Sequence, residues 1–191
     1  SKHLLPIYNK PMIYYPLSTL MLGGIREYLI ITNPSHLKLY QDLLGYGDNL
    51  GINISYKVQK KPEGLPQAFI IGEKFINSEP VCLNLGDHIF FGNDVNRLLK
   101  KNINNFKKTT IFAYRYNKPN EYGVINLNNK NRPISILEKP IKPKSNLIVC
   151  GLYIYDKNVV ELSKNLKFSK RGELEISDLN NLYLKNNTLN V

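Results

Sequence analysis

The sequence has few cysteines and no long apolar run, and each of these shortages excludes a class of protein. Cys82 and Cys150 are the only cysteines among 191 residues, too few for a disulfide framework, and their separation gives no metal-ligand spacing. We therefore expect a reducing, cytoplasmic compartment. No run approaches the roughly 18 apolar residues of a membrane span, and residues 1–6 lack the apolar core of a signal peptide. We expect no membrane partner.

Acidic residues are also scarce, with 15 Asp and Glu against 26 Lys and Arg, which gives a formal net charge of +11. Nucleic-acid binding requires clustered cations, preferably interleaved with aromatic side chains. Here the lysines are spread, with short pairs at 60–61, 100–101 and 107–108. Lys, Asn and Ile share AT-rich codons, so genome composition can supply much of the excess. We expect no nucleic-acid partner and keep a basic nucleic-acid-binding domain as the least favoured alternative.

The sequence further lacks a Walker-type phosphate loop, a G-x-G-x-x-G motif, an internal repeat and an initiator Met. Because it starts with Ser1, we expect it to begin inside a longer protein. The length, with 42% hydrophobic and 21% charged residues, is enough to bury a core and excludes the composition of a disordered chain. We interpret residues 1–191 as one domain.

Apolar periodicity predicts the order of the elements. Strands are predicted at 25–32, 53–58 and 81–85, and helices at 11–22, 34–44, 64–75 and 94–102. This alternation is typical of a layered α/β domain with a largely parallel central sheet. The residues predicted to face the core are Ala68, Ile71 and Phe75 in the third of these helices and Val95, Leu98 and Leu99 in the fourth. After residue 108 the pattern changes to strands at 109–116, 123–127, 134–138 and 150–155, more like an antiparallel extension, with a closing helix at 173–184.

Asp87 is the first candidate for chemistry, because it follows the apolar strand 81–85 and a glycine. In open α/β sheets, ligands bind beyond the carboxyl ends of the strands. A carboxylate there suits Mg²⁺ bound together with substrate phosphates, since Mg²⁺ takes only one or two protein carboxylates. The alternative is an Asp that caps a turn or helix. One such residue is a weak signal by itself.

Other polar loops offer contacts of the same kind. The amide of Gln59 could bind a base edge, and Gly64 permits a backbone N–H to approach a ligand. Glu138-Lys139 ends a predicted strand and could bind sugar hydroxyls and phosphate, and Tyr122-Gly123 and Arg171 could make further contacts. Ordinary polar loops and solvated strand ends are the alternatives. The residues alone indicate an α/β domain with a phosphate or Mg²⁺ site around Asp87.

Six segments, in order and without large gaps, resemble blocks of the bacterial glucose-1-phosphate thymidylyltransferases: 2–17, 59–69, 85–90, 121–124, 137–146 and 171–176. The resemblance implies a Rossmann-like three-layer nucleotidyltransferase fold with a mixed, mostly parallel central sheet. It implies a single nucleotidyltransferase domain over 1–191, incomplete at both ends. A G-G-x-G-T-R-L loop would precede this sequence, and a W-L-D-T-G segment with a second metal-binding Asp would follow it.

The resemblance also implies a reaction, in which dTTP and glucose 1-phosphate give dTDP-glucose and pyrophosphate. This is the first step of dTDP-rhamnose-type sugar synthesis for lipopolysaccharide or cell-wall polysaccharide, carried out in the cytoplasm by a homotetramer of the full-length parent. Because the arginine loop and one metal carboxylate are missing, we expect this chain alone to be inactive. An inactive nucleotide-sugar-binding remnant and a uridylyltransferase are the alternatives.

The resemblance assigns roles by motif. Asp87 would bind Mg²⁺, Lys2 would neutralise phosphates, and Arg171 would contact the sugar phosphate. Gln59 and the Gly64 backbone would bind the thymine. The glucose would be held by Tyr122, Gly123, Glu138, Lys139 and Val149. The sequence departs from the family pattern at three neighbouring positions: His3 stands where Gln is usual, His88 where Asn is usual and Cys150 where Thr is common.

Overall fold

A computed structural model describes residues 1–191, except for the side chain of Asn93. Its helices are α1 (Tyr14–Leu22), α2 (Leu37–Leu44), α3 (Gln67–Ile71), α4 (Glu73–Ile76), α5 (Asn93–Asn104), α6 (Val159–Lys164) and α7 (Ile176–Lys185). Its strands are β1 (Pro6–Ile7), β2 (Lys10–Pro11), β3 (Glu27–Thr32), β4 (Asn53–Val58), β5 (Val81–Asn84), β6 (Thr109–Arg115), β7 (Gly123–Leu127), β8 (Pro133–Glu138), β9 (Leu147–Tyr155) and β10 (Leu189–Asn190).

The chain divides into two compact units. The first unit comprises Ser1–Pro62 and Asn84–Phe106, and the second comprises Glu63–Leu83 and Lys107–Val191. The prediction of one nucleotidyltransferase domain over 1–191 stays a prediction.

The first unit is built on a parallel pair of strands. β3 and β4 pair in register from Glu27 and Asn53 to Thr32 and Val58, whereas β1 and β2 form a short antiparallel ribbon. After β3, the side chain of Asn33 accepts the N–H of His36 at 3.0 Å and begins the turn that leads into α2. The buried core consists of Ile13, Leu17, Tyr28, Tyr40, Leu44, Ile52 and Ile54.

The second unit contains a six-stranded mixed sheet in the order β10-β6-β9-β7-β8, with β5 also paired to β9. β10 runs parallel to β6, and the pairs β6–β9, β9–β7 and β7–β8 are antiparallel. Helix α7 packs on β8, where both ends of the Asn181 amide bond the backbone of Ile136, at 2.9 and 2.7 Å. These bonds satisfy backbone groups that an edge strand would otherwise expose.

The predicted α/β class is confirmed, and the sheet is mixed as expected. The expected parallel pairing is found for β3–β4 in the first unit and for β10–β6 in the large sheet. The other pairings with a defined register in the large sheet are antiparallel. The physical reason is connection length. A short turn at 128–132 joins β7 to β8, and a link that short can only reverse the chain.

The prediction of one helix over 64–75 is wrong. Two short helices, α3 and α4, meet at Gly72, whose poor helix propensity allows the break. Phe69 and Ile76 are buried there, in place of the expected Ala68 and Ile71. The break rotates the second helix, so the inward face does not follow one continuous period.

Two further expectations need correction. Leu98 was predicted to face inward on α5 but is 42% exposed, whereas Leu99 is fully buried. The last helix begins at Ile176 instead of residue 173, because Glu175 has extended backbone angles. Four short elements were not predicted, because they contain too few residues to show an apolar periodicity: β1, β2, β10 and α6. Within the described chain, no helix has the length and apolar character that crossing a bilayer demands.

Burial should make both cysteines unreactive in the folded chain. It raises the pKa of the Cys82 thiol to about 12 and that of Cys150 to about 11. The thiolate is the reactive form, and an unfolded thiol has a pKa of about 8.5. We therefore expect alkylation by iodoacetamide at pH 8 to be slower in the folded chain, on the order of 100-fold at Cys150 and 1000-fold at Cys82. Peptide mass spectrometry after timed alkylation, with and without denaturant, measures this. Equal rates in both conditions would contradict the burial described.

Candidate functional site

In the first unit, Asp87 is presented just after β5 by a tight turn. The N–H of His88 donates to the carbonyl of Leu85 at 3.2 Å and closes this turn. The Asp87 carboxylate, 29% exposed, forms an ion pair through Oδ2 with the ammonium of Lys2, which is 63% exposed. Two residues that the resemblance assigns to phosphate and metal binding are therefore in direct contact.

The Asp87 carboxylate is held in its charged form. Its partial burial acts to raise its pKa, but the hydrogen bond and charge of Lys2, together with His88, outweigh that effect and leave the pKa below its ordinary value. Asp87 does not cap the following helix, since α5 takes Gly92 as its N-cap residue. The helix-capping alternative is thus wrong for α5, and the metal-binding role of Asp87 stays a prediction.

Two histidines flank this ion pair, at positions where the family pattern has amides. A Cβ on Gly86 would lie only 3.1 Å from His3 Cδ2, so the imidazole packs against the glycine before Asp87. His3 Nδ1 lies 3.0 Å from the hydroxyl of the buried Tyr40. Burial lowers the pKa of both His3 and His88, against the opposing effect of Asp87. Both rings are thus uncharged at neutral pH, and Lys2 supplies the positive charge beside Asp87.

In the second unit, Gly123, Glu138 and Val149 converge on one point. Gly123 is paired with Glu138 across β7 and β8. A Cβ added to Gly123 would lie 3.5 Å from Glu138 Oε2, 3.6 Å from Val149 Cγ2 and 2.9 Å from Ser177 Oγ. Ser177 Oγ donates to Glu138 Oε2 at 2.5 Å. A side chain at position 123 would force Ser177 Oγ to move, because its Cβ would lie within 3.0 Å of that atom.

Tyr122 and Lys139 belong to the same cluster through their backbones. The N–H of Lys139 donates to the carbonyl of Tyr122 at 3.0 Å. Lys139 has a φ of 41°, in the left-handed region that a non-glycine residue rarely adopts, and Pro140 follows it. Both features are unfavourable, and strained backbone of this kind is concentrated at functional sites. This unfavourable backbone conformation occurs at Lys139, the lysine that the resemblance assigns to sugar binding.

Arg171 adjoins this cluster. Its Nη1 lies 3.9 Å from Glu138 Oε1 and 3.4 Å from both carboxylate oxygens of Glu175, and its Nη2 lies 3.5 Å from Glu173 Oε2. The cation predicted to contact the sugar phosphate thus stands beside the carboxylate predicted to hold the sugar. The structure brings together the sugar- and phosphate-binding residues that were predicted in this unit.

The two predicted thymine-binding residues lie in different units. The Gln59 N–H continues the β3–β4 pairing by donating to the Thr32 carbonyl at 2.8 Å. Gly64 has a φ of 103° and packs directly on the backbone of Leu174, whose N–H donates to the carbonyl of Glu63 at 2.8 Å. The roles of Gln59 and Gly64 in base binding stay predictions.

Three residues of this site were not predicted. Ser177 orients Glu138, and Glu175 contacts the guanidinium of Arg171. Ser169 Oγ accepts the backbone N–H of Arg171 at 3.1 Å. A serine near the start of a helix is read from sequence as a helix-terminal residue, so nothing marked it for chemistry. The available signal was the run of alternating acidic residues directly after Arg171.

The chain matches the family model described as nucleotidyl transferase over residues 1–191. It is 53% identical to a glucose-1-phosphate thymidylyltransferase from Neisseria meningitidis and 47% identical to one from Mycobacterium tuberculosis, each over 191 residues. These matches cover 100% of the chain and 66% of each relative. The chain thus spans slightly less than two thirds of their length.

Solved structures show the same relationship. A Bacillus anthracis protein assigned as a glucose-1-phosphate thymidylyltransferase, solved with sucrose, superposes with a TM-score of 0.89 at 38% identity, covering 98% of the chain and 76% of that protein. A UDP-glucose pyrophosphorylase superposes with a TM-score of 0.82 at 24% identity, over 97% and 79% of the two chains, and shows the fold alone. The chain belongs to the nucleotidyl transferase family. Within that family, the Neisseria and Mycobacterium relatives are glucose-1-phosphate thymidylyltransferases.

The contact between Gly64 and Leu174 should make Gly64 intolerant of any side chain. Ala at this position would adopt an unfavourable positive φ and would also overlap the Leu174 backbone. We expect Gly64→Ala to cost more than about 2 kcal/mol of unfolding free energy, against about 1 kcal/mol for Gly172→Ala, which has a φ of 73° and open space around it. Urea denaturation of both variants measures the difference. Equal losses would show that the contact with Leu174 is unimportant.

Proposed function

We propose that the protein containing this chain transfers a thymidylyl group from dTTP to glucose 1-phosphate, releasing pyrophosphate and forming dTDP-glucose. The observation that carries the proposal is the convergence of Gly123, Glu138, Val149 and Arg171 in the second unit. It places a carboxylate that can accept sugar hydroxyls next to a guanidinium that can bind a phosphate. The relatives named glucose-1-phosphate thymidylyltransferase, which are up to 53% identical to this chain, support the choice of substrates.

The first unit would supply the charges for the nucleotide phosphates. Asp87 is anionic, partly exposed and paired with Lys2. Its carboxylate can therefore exchange the lysine ammonium for a metal ion. Among the described side chains, no group of three or more His, Cys, Asp or Glu residues is arranged to hold a metal ion. Mg²⁺ bound mainly by phosphates needs only one or two carboxylates, and Asp87 fits that requirement. When bound, Mg²⁺ would neutralise charge on the phosphates of dTTP.

The reaction needs positioning and charge neutralisation more than acid–base chemistry. An oxygen of the sugar phosphate forms a bond to the α-phosphorus of dTTP, and the bond to the bridging oxygen of pyrophosphate breaks. The attacking phosphate is already anionic, so no residue has to remove a proton. Lys2 would offset charge on the nucleotide phosphates, and Arg171 would hold the attacking phosphate.

Glu138 would fix the sugar. Ser177 occupies Oε2 of this carboxylate, which leaves Oε1 available to accept a sugar hydroxyl. The backbone strain at Lys139 is consistent with a residue whose placement is imposed by binding chemistry. Together these residues would hold the sugar in one orientation.

Four wider predictions accompany this proposal. The two free thiols support a reducing, cytoplasmic location. That the product feeds dTDP-rhamnose-type sugar synthesis for lipopolysaccharide or cell-wall polysaccharide stays a prediction. Assembly of the full-length parent into a homotetramer stays a prediction, as does the inactivity of this chain by itself.

Pyrophosphate release tests the proposal. We expect the full-length protein to turn over dTTP and glucose 1-phosphate in the presence of Mg²⁺ and to use UTP less efficiently. Binding of dTDP-glucose without turnover would instead identify a nucleotide-sugar-binding remnant, and a preference for UTP would identify a uridylyltransferase. Affinity for DNA or RNA that falls steeply with salt would favour a nucleic-acid-binding domain. The same assay on the 191-residue chain tests its expected inactivity.

Asp87 should be essential to the Mg²⁺-dependent step. In the full-length protein, we expect Asp87→Asn to lower kcat on the order of 100-fold or more, because the amide has no charge to offer a cation. Asp94→Asn is the matched control, since Asp94 is exposed and paired only with Arg97 within α5, at 2.8 Å. Steady-state kinetics at several Mg²⁺ concentrations measure both variants. A wild-type rate for Asp87→Asn would refute the metal role.

A further inference from the structure

Glu175 is the only carboxylate that is buried among the side chains described, with 7% of its surface exposed. Burying a carboxylate is unfavourable unless charged or hydrogen-bonding partners compensate for the lost water. The other acidic partners of Arg171 are far more open, with the side chain of Glu173 41% exposed. The burial of Glu175 therefore requires a specific explanation.

Helix capping does not provide one. Glu175 occupies the N-cap position of α7, where Ser, Thr, Asp or Asn would accept a backbone N–H of the first turn. Its side chain makes no such bond. It points instead to Ser169, whose hydroxyl donates to Oε1 at 2.7 Å, and to Arg171, whose Nη1 lies 3.4 Å from both oxygens. A capping interaction is given up in favour of contacts with the arginine.

Ser169 joins the same arrangement from the backbone side. Its Oγ accepts the N–H of Arg171 at 3.1 Å while donating to Glu175. The loop between them is closed twice, by the Gly172 N–H on the Ser169 carbonyl and by the Ser169 N–H on the Glu173 carbonyl, each at 2.9 Å. One hydroxyl thus links the backbone of Arg171 to the carboxylate that holds its guanidinium.

We propose that Glu175 and Ser169 are positioning residues for Arg171, holding its guanidinium beside Glu138 in the orientation that receives a sugar phosphate. This inference rests on the proposed function, in which Arg171 binds the phosphate of glucose 1-phosphate. The buried pair of contacts on Nη1 fixes one side of the planar guanidinium. A guanidinium has five donors, so others stay available to the phosphate. Neither residue touches the substrate in this arrangement.

An alternative role for Glu175, cancelling the charge of Arg171, makes a different prediction. A carboxylate next to Arg171 could act only by cancelling its charge, in which case its removal would strengthen phosphate binding. Glu173 offers the matched comparison, because it carries the same charge at a similar distance, 3.5 Å from Nη2, but its side chain is 41% exposed. Positioning predicts that Glu175 and Glu173 behave differently, whereas charge cancellation predicts that they behave alike.

The test compares Glu175→Gln with Glu173→Gln in the full-length protein. We expect Glu175→Gln to weaken glucose 1-phosphate binding on the order of tenfold by calorimetry, with the affinity for dTTP unchanged. Glu173→Gln should stay within about twofold of the wild type or bind slightly tighter. Tighter binding in both variants, or no change in Glu175→Gln, would overturn the inference.

A second measurement needs no substrate. In ¹⁵N-labelled protein, the Nε–H signal of Arg171 should be distinct and slow to exchange in the wild type and in Glu173→Gln, and should broaden or merge with the other arginines in Glu175→Gln. Ser169→Ala, which keeps every charge, should show the same loss to a smaller degree. An unchanged Arg171 signal in both Glu175→Gln and Ser169→Ala would overturn the positioning role.

The two measurements separate two kinds of failure. If the wild-type protein binds no glucose 1-phosphate, the proposed function is wrong, but the Arg171 signal still reports whether Glu175 and Ser169 orient the guanidinium. If the wild type binds the sugar phosphate and the Arg171 signal ignores both substitutions, the proposed function stands and the positioning role is wrong. Circular dichroism of each variant excludes loss of the fold as the cause of any change.

Discussion

The nine-residue strand β9 is the constraint on which the second unit depends. It pairs with β6 and with β7 and also contacts β5, and all but its first residue are buried. A strand bonded on both edges cannot slip by one residue without moving every buried side chain to the opposite face. This fixed register sets Val149 against Gly123 and Glu138. The geometry of the proposed sugar-binding cluster is therefore set by β9, the most deeply buried strand of the sheet.

The site is also assembled at the expense of local stability. Lys139 adopts a left-handed backbone before a proline, Glu175 occupies a capping position without capping, and its carboxylate is buried. Each of these choices costs on the order of 1 kcal/mol or more when considered alone. They occur within one cluster around Arg171 and Glu138. Natural sequences depart from local rules mainly where binding chemistry requires it, and these three departures lie where the sugar phosphate is proposed to bind.

Much of this arrangement was predictable from sequence, and the failures have physical causes. Asp87 at a strand end and the Gly123–Glu138 segments were identified because strand ends and glycines leave a local signal. Ser177 was missed because its partner Glu138 lies far away in sequence and only the folded sheet brings the two together. Glu175 was missed although its partners Ser169 and Arg171 are local, because the sequence does not show that this carboxylate is buried. Periodicity also failed at Gly72, where a helix break cannot be told from a tolerated glycine without knowing what packs there.

The division of the chain into interleaved segments has a consequence for folding. Of the residues described, those of the first unit have all been synthesised once Phe106 is added, whereas in the second unit Glu63–Leu83 must wait for Lys107–Val191. Loop closure between Gly64 and Leu174 spans more than half of the chain, and contacts so distant in sequence form slowly. During synthesis, α3, α4 and β5 must therefore remain without their final partners while the ribosome completes the rest. Chaperone contact during translation would be concentrated on this waiting segment.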